Sequence, residues 1–272
     1  MLNKKRLIML IVGIFVILAV ACGSDADTAA VPADDGDGVA PAYEPRSFDE
    51  VKPENVDLKL TPAPALPEIP GCNGEPRNVR FTLETLEVEG EIAPDITFPF
   101  LTFNGAVPGP AIVVCLGDWV EVTLKNLEGN KFAHNVDFHA ATGTLGGGAA
   151  SIVGPGQQTT FRFQALKKRA FVYSCAIAPI VMHVTSGMYG SIIVLPKGGL
   201  SPVDKEFYLM EGDFYTELSV DDPKRHVYSQ ERVTNENPSY VVTNGKVDAV
   251  TGDNALKVKV GEKGPVLLRA GQ

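Results

Sequence analysis

The chain has 272 residues, 44% of them hydrophobic, and a formal net charge of -9. That length holds one large or two ordinary domains, and the hydrophobic share is normal for a packed core. The acidic balance excludes nucleic acid as a partner, because no basic surface would offset the phosphates, and it suits a soluble redox partner of opposite charge.

The N-terminus reads as a targeting segment. Lys4, Lys5 and Arg6 precede an apolar run from Leu7 to Ala21, which has signal-sequence length and is short for a membrane span. The run ends in Leu18-Ala19-Val20-Ala21-Cys22-Gly23, which resembles a bacterial lipobox with Cys22 as the lipidated residue. An ordinary cleaved signal or an uncleaved anchor are the alternatives. In each case the rest of the chain is expected outside the cytoplasm, lipid-anchored to a bacterial membrane on its periplasmic or cell-surface face. Residues 1–22 are therefore assigned as a signal peptide. Residues 23–70, rich in Asp, Pro and Ala, are expected to form a disordered tether, with Val51 to Leu66 as the part that could pack on a domain surface.

From about Asn78 the pattern becomes that of strands. VRFTLETLEVEG alternates apolar and polar residues, an aromatic run occupies Pro94 to Phe103, and TFNGAVPGPAIVV gives a Gly/Pro turn and a buried strand. DWVEVTLKNL alternates again, and TTFRFQAL, FVYSC and YGSIIVLP follow a Gly-rich turn at Gly146-Gly147-Gly148. Many short strands with Gly/Pro turns and no long helical period predict an all-β antiparallel sandwich or barrel over residues 71–198. A second unit is expected over 199–272. DKEFYLMEGDFY, SYVVTNG, LKVKVG and PVLLRA are its strand candidates, and Glu217 to Pro238 is read as a long polar loop. Four strands are about half a sandwich, so this unit is expected to be an incomplete domain, completed by another chain or by residues beyond Gln272.

Chemistry concentrates in FVYSCAIAPIVMHVTSGM, Phe171 to Met188. It reads as a strand, a tight loop and the start of a second strand. Cys175, His183 and Met188 bring a thiolate, an imidazole and a thioether to one loop. With a second imidazole they form the trigonal His2Cys set with a weak axial Met that holds a blue, type 1 copper. His134, in HNVDFHAATG, is assigned as that imidazole. The alternative is a buried Cys, a core Met and a surface His that are close in sequence only. With Cys22 given to lipid and Cys175 to metal, Cys72 and Cys115 remain, and an oxidising compartment permits a disulfide between them.

TFNGAVPGPAIVVCLGDWVEVTL, HNVDFHAATG and CAIAPIVMHVTSGMYG, with VDKEFYLMEGDFYT and VTGDNALKVKVGE further on, resemble the copper-containing nitrite reductases of the multicopper oxidase superfamily. The resemblance implies cupredoxin-like Greek-key β-sandwich domains, two per subunit, and a homotrimer. It implies a type 1 copper inside the first domain, a type 2 copper between subunits, and one-electron reduction of nitrite to nitric oxide in denitrification, with electrons from a small cytochrome or cupredoxin. Carried over by position, His134, Cys175, His183 and Met188 match the type 1 ligands. His139 matches one type 2 histidine, and Asp137 the acid that binds and protonates nitrite. The position that should hold the next type 2 histidine is Ser174, and the family's remaining histidines belong beyond Gln272. Strand parity agrees with this division. Neighbours on a strand point to opposite faces, so Cys175 inward puts residue 174 outward, and Asp137 and His139 share one face.

A neutral hydroxyl ligates copper poorly beside imidazole, and a catalytic copper needs about three firm protein ligands. Ser174 therefore makes the type 2 copper doubtful and leaves the protein's status as an enzyme open. The expected function is that of a nitrite reductase family protein with an incomplete catalytic site. The alternative is a membrane-tethered type 1 copper electron-transfer protein without nitrite reductase activity. A rebuilt site or copper storage are more distant readings.

Overall fold

The structure is a computed structural model that describes residues 43–63 and 65–263, and the backbone of a last strand at 266–270. The signal segment with Cys22 and the first part of the expected tether lie outside the described residues. In chain order the elements are α1 (Phe48–Val51), β1 (Asn55–Asp57), β2 (Asn78–Ala93), β3 (Ile96–Phe103), β4 (Ile112–Cys115), β5 (Trp119–Asn126), β6 (Asp137–Phe138), β7 (Gln158–Gln164) and β8 (Arg169–Ser174). Then follow α2 (Ile180–Thr185), β9 (Tyr189–Leu195), β10 (Glu206–Phe214), β11 (Thr216–Leu218), β12 (His226–Tyr228), α3 (Gln230–Thr234), β13 (Tyr240–Thr243) and β14 (Val266–Ala270).

Two sheets face each other. One runs β1-β2-β5-β7, with β3 on β2, and the other runs β4-β9-β8-β6. β2 changes neighbours along its length: residues 78–85 pair with β5 and residues 85–93 with β3. β5 shows the alternation of a strand with one face on the core. β4 and β9 are buried at every residue; β4 is apolar throughout, and β9 ends in the apolar run Ile192–Leu195. They are covered on both faces. Ile112, Val114, Ile192 and Val194 join the core between the sheets. Val113, Tyr189, Ile193 and Leu195 pack on Tyr208 and Met210 of β10. The 199–272 region thus supplies a lid for the sandwich. A second contact is a triad of edge-on rings, Phe98, Phe100 and Phe214, with centroids 5.2–5.7 Å apart.

The structure departs from expectation in several places. Within the sandwich β2 pairs with β5, and β4 with β9, in parallel, where antiparallel strands were expected. Residues 43–70, assigned to the tether, lie on the sandwich where described, as the alternative reading allowed for Val51 to Leu66: β1 adds a parallel strand to β2, Leu58 and Leu60 pack on the core, and Leu66, with Ile69 beyond that stretch, on the β10 side. Their spaced apolar residues suffice because a sheet edge was waiting for them. The loop after Cys175 contains α2, and the expected polar loop 217–238 contains β11, β12 and α3. LKVKVG is irregular, with Val258 and Val260 exposed, and among the described residues no strand pairs with it.

Cys72 and Cys115 form a disulfide across 43 residues of sequence. In the chain-entropy picture a loop of that length is worth about 4 kcal/mol against the unfolded state. Beside it the wholly buried Asp118 is saturated, since its carboxylate takes an ion pair from Arg77 at 2.6 Å and the backbone N–H of Cys115 at 2.9 Å.

Candidate metal centre

Three elements converge at one end of the sandwich. The segment before β6 brings His134, whose backbone exchanges hydrogen bonds with Val153 at 3.0 and 2.9 Å. The end of β8 brings Cys175, and α2 brings His183. α2 starts after Pro179, whose ring fixes φ for a helix entry, and Thr185 Oγ1 donates to Val181 O at 2.7 Å. It ends at Gly187, whose φ of +117° and 2.6 Å clearance to Val107 leave no room for a Cβ. That turn sends Met188 back to Cys175. Met188 N–H donates to His183 O at 3.2 Å, Cys175 N–H donates to Met188 O at 3.1 Å, and the Met188 side chain is wholly buried.

His134 Nδ1 lies 3.3 Å from His183 Nδ1, which lies 3.4 Å from Cys175 Sγ. All three donor atoms fall within 4.8 Å of one another, and all three residues are buried. Burial pushes the His134 ring down from 6.5 to about 4. Burial, then the charge of His134, push His183 to about 4, with Glu87 pulling the other way. Burial raises the Cys175 thiol, opposed by backbone N–H groups of Asn135 and Ile177. Two neutral imidazoles and a sulfur thus face one point. A trigonal centre with bonds of about 2.0–2.3 Å separates its donors by roughly 3.5–4 Å, so this set fits a soft metal ion.

Asn135 was not singled out in the sequence. Its Oδ1 accepts the Ala176 N–H at 2.7 Å and the Cys175 Sγ at 3.5 Å, and its Nδ2 donates to Gly148 O at 3.0 Å. It ties the Gly-rich turn to the cysteine, and its only sequence signal is its place beside His134.

A second group faces outward. Asp137 and Ser174 are cross-strand partners. His139 Nε2 lies 3.7 Å from Asp137 Oδ2, with the histidine side chain 55% exposed and the aspartate 16%. Burial raises the Asp137 carboxyl, and His139 opposes that shift. Gly146 abuts this group: a Cβ there would meet Asp137 Oδ1 at 2.3 Å. Among the described residues His139 joins no cluster of three metal-ligating groups. The fourth histidine, His226, is held elsewhere, with Nδ1 2.8 Å from Thr216 Oγ1 and 3.3 Å from Tyr240 OH.

The lowered imidazole values give a pH prediction. Unfolding returns both rings to about 6.5, so between about pH 6.5 and 4 the unfolded chain binds more protons than the folded one. The contribution of these two rings to the stability of the metal-free protein is therefore full above about pH 6.5 and is lost as pH falls through about 4. Its melting temperature should fall steadily over that window, and by less in His183→Gln. A parent profile that stays flat to pH 4 contradicts the assignment of two buried neutral rings.

Residues 88–199 match the Multicopper oxidase family. The chain is 45% identical over 208 residues to a copper-containing nitrite reductase of Neisseria meningitidis, covering 76% of this chain and 53% of that protein. It is 44% identical over 209 residues to one from Rhizobium meliloti, covering 71% and 56%. The chain thus spans about half the length of these relatives. The solved copper nitrite reductase of Nitrosomonas europaea superposes with a TM-score of 0.60 at 32% identity, covering 72% of this chain and 68% of that one.

Proposed function

Since the chain belongs to the copper-containing nitrite reductase family and has its cupredoxin-like all-β fold, we propose that His134, Cys175, His183 and Met188 would hold one type 1 copper, through which the protein would accept single electrons. The observation that carries this reading is the buried triangle of two Nδ1 atoms and one Sγ. Copper bound there would cycle between its divalent and monovalent states and supply one electron at a time.

The protein's own residues define what surrounds that exchange. The wholly buried Cys175 and Met188 and the nearly buried His183 keep water from the donors. Asn135, fixed by Gly148 and Ala176, holds the sulfur in place. A site with rigid ligands reorganises little when its charge changes, which suits electron transfer. The donor is a small cytochrome or cupredoxin, and the assembly a homotrimer, as the family resemblance implies. The lipobox at Cys22 would keep the centre at the outer face of a bacterial membrane.

Nitrite reduction is the family reading of the outward group. Asp137, its carboxyl raised by burial, is suited to carry a proton to nitrite, and His139 to ligate a second copper. Ser174, paired directly with Asp137, favours the second reading, an electron-transfer protein without nitrite turnover.

A redox titration of the copper-loaded protein tests the proposal. It should take up one electron per chain, and its visible band should bleach in proportion. Bound copper that accepts no electron from mild one-electron donors contradicts it.

A further inference from the structure

Four glutamates, Glu84, Glu87, Glu89 and Glu91, line β2. Three distances set Glu87 apart. Its side chain is 14% exposed, against 40% for Glu84 and 44% for Glu89. Its Oε1 accepts the backbone N–H groups of Lys131 at 2.7 Å and Phe132 at 2.8 Å. The same oxygen lies 3.5 Å from Nε2 of His134.

That nitrogen is buried and has no hydrogen-bond partner. The other nitrogen of the ring, Nδ1, faces His183 and Cys175. A neutral imidazole carries one proton, and the tautomer decides which nitrogen offers its lone pair. A carboxylate behind Nε2 favours the proton there and leaves Nδ1 free for metal.

The loop leading to His134 is locked to the same strand. Glu87 N–H donates to Asn130 Oδ1 at 3.0 Å, and Asn130 Nδ2 donates to Thr85 O at 2.7 Å and Asn126 Oδ1 at 2.6 Å. Segment 126–133 therefore hands His134 to the site from a fixed position, with Glu87 at both the loop and the ring.

We propose that Glu87 is a positioning residue of the metal centre: its carboxylate accepts the His134 Nε2 proton, fixes the tautomer that presents Nδ1, and makes that ligand a stronger donor. The proposal rests on the copper reading above. The present 3.5 Å is longer than an ordinary N–H···O bond, and a shift of a few tenths of an ångström closes it. An imidazole whose Nδ1 lone pair is donated to a cation has a more acidic Nε2 proton, which draws the carboxylate closer. Outer partners of metal-bound histidines act in this way, and their loss typically costs about 10–100-fold in affinity or activity.

A nearby negative charge and a more basic ligand both favour divalent over monovalent copper. Glu87→Gln keeps an oxygen to accept the Lys131 and Phe132 N–H groups and removes the charge. It should lower the preference for divalent copper about tenfold, which is an upward shift of about 59 mV in a one-electron potential. The metal-free variant should melt as the parent does, since the loop contacts survive. The readouts are the reduction potential, the divalent-copper affinity and the visible spectrum of parent and variant. A blue variant whose potential and affinity equal the parent's overturns the proposal and leaves the copper reading intact. A parent that binds no blue copper overturns both. Should Glu87→Gln fail to fold, the reduced parent decides the matter by NMR. A His134 Nε2 proton that is shifted downfield and slow to exchange supports the proposal, and one that exchanges freely with water overturns it.

Discussion

Replacing Cys175 with alanine is expected to abolish the visible absorption of the copper-loaded protein completely. The colour of a type 1 centre comes from charge transfer between a thiolate and copper, and no other thiol is free among the described residues. Sulfur is also the one donor here that can carry a charge to offset the metal's. Losing a ligand of this kind exceeds the roughly 10–100-fold cost of losing an outer partner, so copper affinity should fall by orders of magnitude. The fold should survive, because Cys175 N–H still donates to Met188 O and the wholly buried site accepts a small side chain. Absorbance and copper retention after dialysis, set beside an unchanged circular dichroism spectrum, are the measurements. A Cys175→Ala protein that stays blue would remove the assignment.

The second large effect concerns nitrite. The protein with Ser174 should give nitric oxide at background rates with an artificial electron donor and added copper, against a median enzyme turnover of roughly 10 per second. The reason is local. His139 is an exposed imidazole, Asp137 is its neighbour at 3.7 Å, and the residue paired with Asp137 offers a hydroxyl. Ser174→His would put a second imidazole on the outward face of β8, beside Asp137 and adjacent in sequence to Cys175. Second-site copper occupancy should rise, and turnover should stay near background. Among the described residues no third imidazole is at hand, since His226 is engaged by Thr216 and Tyr240. Turnover near the median from the unaltered chain would show that another residue completes the site.

How much of this the sequence carried depends on the range of the interaction involved. The alternation of β5 and the apolar runs of β4 and of the second half of β9 were legible, because burial imposes period two on a half-covered strand and none on a strand covered on both faces. The partner covering β9 was not legible: Tyr208 and Met210 sit in a strand that reads alone as part of a separate unit. α2 is six residues long, too short for a helical period to emerge. Residues 55–57 form a strand only because β2 offers them an edge.

The site divides in the same way. Cys175, His183 and Met188 are local in sequence, and their chemistry is unusual enough to stand out. The alternation of buried and exposed side chains from Val136 to Ala140 and from Tyr173 to Cys175 follows from extended geometry. Glu87 gave no signal, since Glu87, Glu89 and Glu91 share one strand parity and nothing local distinguishes the one that faces His134. Only the packing of segment 126–133 against β2 does so.

The central claim is one blue copper per chain, and the direct measurement is a copper titration of the metal-free protein followed by visible absorption and electron paramagnetic resonance. The visible band should rise linearly and saturate at one equivalent, with no second type of copper signal up to that point. Copper that binds without colour, or a band that requires two equivalents and arrives with a type 2 signal, would contradict it.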